Sequence, residues 1–260
     1  MSWKDEFPQE NRYLETDNGI LYNAEATQTM SKFPEKIFDA IITDPPYGLV
    51  KCKWDTVIPF DDMWRELKRI RKDRTPIALF GSEPFASLLR VSNLKEFKYD
   101  WIWKKERPTN PLSVKRQPPR YTDNILVFYK KQPKFYPQKI KRKEENKRRN
   151  KPRAYKDRTK VDTNKYEERV LSGISDYIYQ PNILEFSMER GLHPTQKPVR
   201  LIEFLLKVYT DKNDLVLDFT CGSSTTLLAC ENLNRRWMGI ELNAGYCEIA
   251  KERILNGLEK

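Results

Sequence analysis

Apolar residues along this chain follow two spacings, one typical of buried strands and the other typical of helices. Continuous apolar runs of strand length lie at residues 38–43 and 214–219, and residues 76–82 predict a strand followed by a turn. Residues 60–71 carry apolar side chains three and four positions apart, which predicts a helix with one buried face.

The same criteria predict further strands and helices in alternation. The strands are residues 99–104, 124–130 and 236–242, and the helices are residues 84–91, 225–233 and 244–255. Strands that alternate with helices favour an α/β fold on a mostly parallel, doubly wound sheet. The chain of 260 residues is long enough for one large domain with an insertion.

Positive charge is concentrated in one segment of the chain. Residues 139–160, "KIKRKEENKRRNKPRAYKDRTK", contain twelve Lys or Arg and three acidic residues, whereas the whole chain has a net charge of +11. The segment lacks apolar periodicity, so it is either a solvated loop or an arm that contacts the phosphates of a nucleic acid. With the basic, proline-containing residues 104–121 it forms an insertion between two better-patterned halves.

Cysteine and histidine are scarce. The four cysteines, Cys52, Cys221, Cys230 and Cys247, form no CxxC pair, and His193 is the single histidine, so we expect neither a metal site nor a disulfide framework. The first residues lack the apolar core of a signal peptide, and no apolar run approaches the ~18 residues of a membrane span. We therefore expect a cytoplasmic protein with no membrane partner.

The first apolar strand ends in an unusual sequence, "DAIITDPPYG" at residues 39–48. Asp and Pro favour turns, and a simple turn is the first interpretation. The second is chemical: the Asp44 carboxylate and the Pro45 carbonyl could accept the two N–H bonds of an exocyclic amine on a base. The nitrogen lone pair would then point at a methyl sulfonium, Pro46 would stiffen the loop, and Tyr47 would stack on a base flipped out of the duplex.

A second motif, "LVLDFTCGSSTTLLAC" at residues 215–230, leads from a strand through small residues into a helix. Gly222 allows a ligand to approach the backbone, but the loop has no GK[ST] and only one glycine, unlike a phosphate-binding loop. Glu241 ends the next strand 23 residues after Asp218, a spacing typical of an acid that binds ribose hydroxyls. The pattern favours S-adenosylmethionine, an adenosine ligand without phosphates; a tight turn with a surface Glu is the alternative.

Eight motifs in one order connect these halves. They are "DAIITDPPYG", "KWD", "LFGSEPF", "DWIWKK", "NILVFYKK", "HPTQKPVRLIEFLL", "VLDFTCGSSTT" and "GIELNAGYCEIAKERI". In these motifs and their order the chain resembles bacterial and phage DNA amino-methyltransferases of the β group. The resemblance implies the S-adenosylmethionine-dependent methyltransferase fold with permuted motif order. It divides the chain into a catalytic half (1–108), a basic target-recognition insertion (109–184) and a cosubstrate-binding half (185–260).

The resemblance also implies roles for individual residues. Catalysis falls to Asp44, Pro45, Pro46 and Tyr47. The residues expected at S-adenosylmethionine are Glu25, Asp44, His193, Thr195, Lys197, Asp218, Thr220, Cys221, Gly222, Ser223, Ser224, Thr225, Glu241 and Leu242, with Thr195 and Lys197 near its carboxylate. The residues expected to contact DNA are Lys115, Arg116, Arg120, Lys147, Arg148, Arg149 and Lys151.

Three positions differ from the family pattern or admit two roles. Ser224 stands where the family usually has glycine, and serine is less free to adopt a positive φ. Glu25 stands where the family often has Asp near the adenine of the cosubstrate. His193 could act as a general base, but the neighbouring prolines and the family role favour a hydrogen bond that orients its loop.

Several functions compete with adenine-N6 methylation of duplex DNA, which Asp44 favours because Ser is common there in cytosine-N4 enzymes. Cytosine-N4 methylation is the second candidate. Cytosine-C5 methylation typically uses a cysteine after a proline, and none of the four follows one. A non-catalytic DNA-binding protein on the same fold, an RNA substrate and a protein amine stay open, as do a homodimer and a cognate restriction endonuclease as partners.

Overall fold

The computed structural model describes residues 2–48, 55–142, 176–189 and 196–258. The chain has two compact units, one made of Met1–Tyr136 with Asn182–Lys260 and the other of Pro137–Pro181. The larger unit contains both better-patterned halves of the sequence. The functional division at residues 108 and 184 stays a prediction.

The larger unit is built on a nine-stranded sheet. In chain order the described strands are β1 (Arg12–Glu15), β2 (Gly19–Asn23), β3 (Ala40–Thr43), β4 (Ile77–Gly81), β5 (Phe97–Lys104), β6 (Thr122–Phe128), β7 (Lys139–Lys141), β8 (Tyr177–Tyr179), β9 (Ile183–Glu185), β10 (Leu215–Asp218) and β11 (Arg236–Glu241). The order across the sheet is β1-β2-β11-β10-β3-β4-β6-β5-β9. The five strands from β2 to β4 are parallel, and β6 is antiparallel to both neighbours.

Helices cover both faces of this sheet. They are α1 (Ala26–Ser31), α2 (Phe60–Ile70), α3 (Phe85–Ser92), α4 (Val199–Tyr209), α5 (Thr225–Asn232) and α6 (Ala244–Leu258). Buried side chains of α1–α3 form one core with the sheet, and those of α4–α6 form the other. The predicted α/β fold with a mostly parallel, doubly wound sheet is confirmed. Within the described residues, no helix is both long enough and apolar enough to span a membrane.

Strand β3 shows why its sequence is apolar throughout. Ala40 and Ile42 belong to the core under α4–α6, whereas Ile41 belongs to the core under α1–α3. A strand covered on both faces needs apolar side chains at successive positions. Since β3 and β10 are neighbouring parallel strands, their carboxyl ends meet at one edge and bring Asp44 close to Asp218.

The smaller unit contains a two-stranded antiparallel ribbon. Strand β7 pairs with β8, with Lys139 opposite Tyr179, Ile140 opposite Ile178 and Lys141 opposite Tyr177. The Lys139 ammonium lies 5.8 Å from the centre of the Tyr179 ring. The first residues of the basic segment are thus a strand, which its lack of apolar periodicity did not predict. Residues 143–160 of the segment lie outside the described residues.

Candidate active site

A cavity of about 1390 Å³ lies at the carboxyl ends of the parallel strands in the larger unit. Ligands of open α/β sheets bind at this edge, because the loops that leave the strands there can diverge and form a crevice. Loops after β3, β4, β10 and β11 line the cavity and bring together the two motifs that the sequence singled out.

The Asp44 carboxylate lies in the cavity wall directly after β3. Its Oδ1 atom accepts a hydrogen bond from the Tyr47 hydroxyl at 2.5 Å, and Oδ2 is ion-paired with the Lys197 ammonium. Burial, together with the negative charge of Asp44, raises the pKa of Tyr47 well above its usual value, so the phenol stays protonated and donates. The Asp44 side chain keeps 25% of its surface exposed, enough to receive a further donor from the cavity.

Asp55 fixes the loop that carries Asp44, and the sequence analysis assigned it no role. Its Oδ1 atom accepts the backbone N–H of Tyr47 at 2.7 Å and that of Gly48 at 3.0 Å. Gly48 has φ +69°, a conformation that glycine adopts without strain. Asp55 is buried and is the last residue of the "KWD" motif. That motif was the sequence signal from which a role for Asp55 could have been predicted.

The Tyr47 ring is held by aromatic contact. It stacks on Phe85 with ring centres 4.9 Å apart and planes inclined by 25°. The Lys197 ammonium lies 5.9 Å from the Tyr47 ring centre and 5.2 Å from that of Phe80. The resemblance placed Lys197 near the cosubstrate carboxylate; the structure shows its ammonium paired with Asp44. Both roles, stacking by Tyr47 and cosubstrate binding by Lys197, stay predictions.

Asp218 links the two halves of the site. It is buried, and its Oδ1 accepts hydrogen bonds from the Thr43 hydroxyl and, at 3.3 Å, from the Thr220 backbone N–H. Burial raises the pKa of Asp218 to about 6. The Thr220 hydroxyl donates to the backbone carbonyl of Asp44 at 3.1 Å, so the loop after β10 supports the loop after β3.

The loop from Cys221 to Thr225 turns sharply into α5. Gly222 has φ +51° and Ser224 has φ +62° and ψ 40°, so the serine that replaces the family's glycine adopts the left-handed conformation. The backbone N–H of Gly222 donates to Glu241 Oε2 at 2.9 Å, and that of Asn243 donates to Oε1 at 2.8 Å. Burial raises the pKa of Glu241. Arg253 donates to the Ser223 hydroxyl at 3.1 Å and to that of Thr225 at 3.3 Å.

Glu25, Cys221 and Leu242 were also expected at the cosubstrate, and they line the same cavity. Glu25 caps α1, and its carboxylate accepts the backbone N–H groups of Thr27 at 3.0 Å and Gln28 at 2.7 Å. Cys221 is buried, whereas Leu242 is exposed, and both line the cavity with Glu25. His193 and Thr195 lie outside the described residues.

The residues expected to contact DNA fall into three groups. Arg120 lines the cavity and donates to the Ser82 hydroxyl at 2.8 Å and the Glu83 carbonyl at 3.2 Å. Lys115 and Arg116 are exposed, shortly after the 3₁₀ turn Pro111–Ser113. The remaining four, Lys147, Arg148, Arg149 and Lys151, lie outside the described residues.

Comparison with known proteins identifies the family. A family model described as a DNA methylase, covering N6 and N4 enzymes, matches residues 38–252. The chain belongs to the N6/N4 DNA methylase family. Its permuted motif order is that of the β group.

Three relatives illustrate the similarity. The Type II methyltransferase M.HpaI of Haemophilus parainfluenzae is 29% identical over 88% of this chain and 72% of its own. The solved structure of M1.HpyAVI with SAM is 28% identical over 90% of this chain and 98% of that chain, with a TM-score of 0.60. The PvuII DNA methyltransferase, described as cytosine-N4-specific, is 18% identical over 94% and 89%, with a TM-score of 0.68. The fold of this DNA methyltransferase is thus the S-adenosylmethionine-dependent methyltransferase fold.

S-adenosylmethionine is the cofactor of this DNA methyltransferase, and the chemistry of the cavity fits it. Glu241 presents carboxylate oxygens suited to ribose hydroxyls, and Gly222 leaves its backbone accessible to a ligand. The glycine-poor loop offers no phosphate-binding sequence, in agreement with a nucleoside ligand that carries no phosphate.

Proposed function

We propose that this protein transfers a methyl group from S-adenosylmethionine to the N6 amine of adenine at a specific sequence in double-stranded DNA. The observation that carries the proposal is the position of Asp44. Its partly exposed carboxylate lies in the cavity beside the cosubstrate loop, and Tyr47 and Lys197 hold its two oxygens. A carboxylate at this position is the family feature that favours adenine.

Asp44 and Pro45 act on the target amine. S-adenosylmethionine, when bound, supplies an electrophilic methyl group on a sulfonium. A carboxylate offers about four acceptor sites, so Asp44 can accept an amine N–H while it keeps Tyr47 and Lys197 as partners. With the Pro45 carbonyl as second acceptor, the nitrogen becomes pyramidal and its lone pair is no longer delocalised into the ring. The excess amine proton then leaves to solvent.

The cosubstrate end of the cavity binds and orients the methyl donor in this proposal. Glu241 holds the ribose, Gly222 and Ser223 border the ligand, and Asp218 lies at the methionine end together with the segment that carries Thr195 and Lys197. His193 orients that segment. Glu25 lies near the adenine, and its hydrogen bonds to the start of α1 hold its carboxylate in place.

Residues 109–184 recognise the DNA target in this proposal, and the basic segment within them contacts phosphates. The net charge of +11 suits a polyanionic partner. We place the enzyme in the cytoplasm of a bacterial or phage-infected cell. A homodimer and a cognate restriction endonuclease are further proposed partners, and the Type II relatives favour the endonuclease.

Cytosine-N4 methylation is the second candidate. The observation that favours it is the similarity in fold to the PvuII enzyme, which is described as cytosine-N4-specific. The amines of adenine and cytosine are attached to similar planar rings, so the same acceptors could serve either base.

Expression in a methylase-free bacterial host, followed by long-read sequencing of modified bases, tests the proposal. We expect N6-methyladenine at one short sequence throughout the genome. Modified cytosines at one sequence would support the second candidate. An unmodified genome, from cells in which the folded protein binds S-adenosylmethionine, would indicate a non-catalytic DNA-binding protein or a substrate other than DNA.

A further inference from the structure

The cavity has a second end. It lies on the far side of Asp44 from the loop Cys221–Thr225, where the cosubstrate is expected to bind. Phe80 at the end of β4, Trp103 and Lys105 at the end of β5 and Asp123 at the start of β6 line it. Because β6 is antiparallel to β4 and β5, its first residues reach the same edge as the last residues of those strands. With S-adenosylmethionine at the β10 and β11 end, the space beyond Asp44 is left for the base.

A buried ion pair lies in this second end. The Lys105 ammonium pairs with the Asp123 carboxylate, and each side chain is only 7% exposed. The ammonium also lies 4.8 Å from the centre of the Trp103 ring, and the indole N–H of Trp103 donates to the Phe186 carbonyl at 2.9 Å. The wall that holds Lys105 is therefore itself fixed by a hydrogen bond.

The Lys105–Asp123 ion pair is expected to add little to the stability of the fold. Desolvation of two charges offsets much of their attraction, and well-packed apolar residues often stabilise such a position equally well. Burial lowers the pKa of Lys105, and the attraction to Asp123 opposes this decrease. The negative charge of Asp44 also acts to raise the pKa of Lys105. A costly charge pair that lines a ligand cavity beside the reactive carboxylate points to ligand recognition.

We propose that Lys105, oriented by Asp123, donates a hydrogen bond to a ring nitrogen of the base whose amine is methylated. This inference rests on the proposed function, and it applies to either candidate base. An ammonium has three N–H donors, so the ion pair leaves donor capacity for an acceptor that enters the cavity. Asp123 also offsets the positive charge, which would otherwise withdraw electrons from the amine.

The chemistry of the bases explains what such a donor would select. In adenine and in cytosine the ring nitrogen beside the amine-bearing carbon is an acceptor. In guanine and thymine the corresponding nitrogen carries a hydrogen, and a fixed ammonium would face a donor. Lys105 would thus admit the two amino bases in the orientation that brings their amine to Asp44, and it would disfavour the two keto bases.

Base analogues test this contact directly. A short duplex carries the sequence mapped by genome sequencing, with either the natural target base or its analogue in which CH replaces that ring nitrogen: 1-deazaadenine, or 3-deazacytosine for a cytosine target. We expect kcat/KM of the wild-type enzyme to fall about 10- to 100-fold on the analogue, as for the loss of one directional base contact. In the double variant Lys105→Met with Asp123→Leu, kcat/KM on the natural base should be lower than that of the wild type. Replacing the natural base by its analogue should then cause no further decrease in kcat/KM.

Removing both charges avoids leaving one of them buried and unpaired. Thermal unfolding and calorimetric S-adenosylmethionine affinity verify that the double variant folds; Lys105→Gln with Asp123→Asn is the alternative if it does not. The matched control removes another ion pair, Arg71→Met with Glu96→Leu, whose 2.7 Å contact lies away from the cavity. The control should keep the full analogue penalty of the wild type.

The outcomes separate the inference from the proposed function. Loss of the analogue penalty in the charge-free variant, with the penalty kept in the control, would establish the contact. Equal rates of the wild type on both duplexes would overturn it, and so would an undiminished penalty in the folded variant. Absence of wild-type methylation on the natural duplex would instead refute the proposed function.

Discussion

Asp44 is the residue on which the proposed chemistry depends. We expect Asp44→Ala to abolish methyl transfer and to leave S-adenosylmethionine affinity largely unchanged, because the carboxylate acts on the amine. Radiolabelled methyl transfer to DNA measures the first effect, and calorimetry measures the second. Asp61→Ala, an exposed acid on α2, is the control and should behave as wild type. Wild-type turnover in Asp44→Ala would refute the mechanism.

Glu241 is the residue expected to determine cosubstrate affinity. Glu241→Ala removes the proposed ribose acceptor and the partner of the Gly222 N–H, whose 2.9 Å hydrogen bond shapes the loop. We expect S-adenosylmethionine binding to weaken by about 1.5–3 kcal/mol. Glu248→Ala, on the exposed surface of α6, should leave the dissociation constant unchanged. Calorimetry that shows no change in Glu241→Ala would remove this residue from the site.

Asp218 should make stability depend on pH. Its pKa is raised to about 6 by burial, so the folded protein binds this proton more tightly than the unfolded chain does. The contribution of Asp218 to stability is therefore greatest below about pH 4 and is lost as the pH rises through about 6. Asp218→Asn keeps an acceptor for Thr43 and avoids the buried charge.

We expect Asp218→Asn to raise the free energy of unfolding of the ligand-free protein by about 1–3 kcal/mol at pH 8 and to change it little at pH 4. Denaturant unfolding at both pH values provides the measurement. A difference of the same size at pH 4 and pH 8 would show that Asp218 does not titrate in this range. The same variant should bind S-adenosylmethionine more weakly, since a site carboxylate is lost.

At the scale of elements, the loop before α5 stores backbone strain at Ser224. A left-handed conformation costs an L-residue about 1–2 kcal/mol, and Ser224 adopts it with φ +62°. Ser224→Gly should raise the free energy of unfolding by up to about 1 kcal/mol, after the greater backbone entropy of glycine in the unfolded chain is deducted. The measurement is denaturant unfolding. Ser223, whose φ is not positive, provides the control, and Ser223→Gly should lower the free energy of unfolding. A decrease in the free energy of unfolding in Ser224→Gly would show that Ser224 is not strained.

Several elements were predictable from a continuous apolar run or from a helical apolar spacing. The helix expected at residues 60–71 is α2, and the strand expected at residues 214–219 is β10. Among the elements that escaped prediction, β2 has five residues, and α1 has six and begins at a cap made by Glu25. Six residues are too few for a helical apolar spacing to repeat. Tertiary contacts stabilise both elements, such as the parallel pairing of β2 with β11.

At the scale of the whole molecule, the basic segment should set the salt dependence of DNA binding. We expect neutralisation of Lys147, Arg148, Arg149 and Lys151 to reduce affinity for target and non-target DNA alike, because phosphate contacts carry no sequence information. The slope of log K against log salt should flatten by up to ~0.9 per lost phosphate contact. Fluorescence anisotropy over a salt series measures both effects, and genome sequencing should show the same methylated sequence.

The control for this experiment changes four charges elsewhere. Lys72, Lys130, Lys131 and Lys134 pair with acids at the edge of the sheet opposite the cavity, and their neutralisation should leave the slope nearly unchanged. An equal effect of both quadruple variants would make net charge the cause. An altered methylation sequence in the first variant would show that the segment contacts bases.

The sequence by itself determined the layers of the fold and indicated the candidate reactive groups. Apolar periodicity is a local property, and the strand-ending motifs around Asp44 and Asp218 are contiguous in the chain. Only the tertiary structure decided which distant residues share the site. Lys197 is ion-paired with Asp44, 153 positions away in the chain. Asp55 accepts a hydrogen bond from the backbone of Tyr47, and Lys105 at the end of one strand pairs with Asp123 on the next. The physical reason is that hydrogen bonds and ion pairs act through space, whereas strand register and loop path, which depend on packing of the whole sheet, set the distances between their partners.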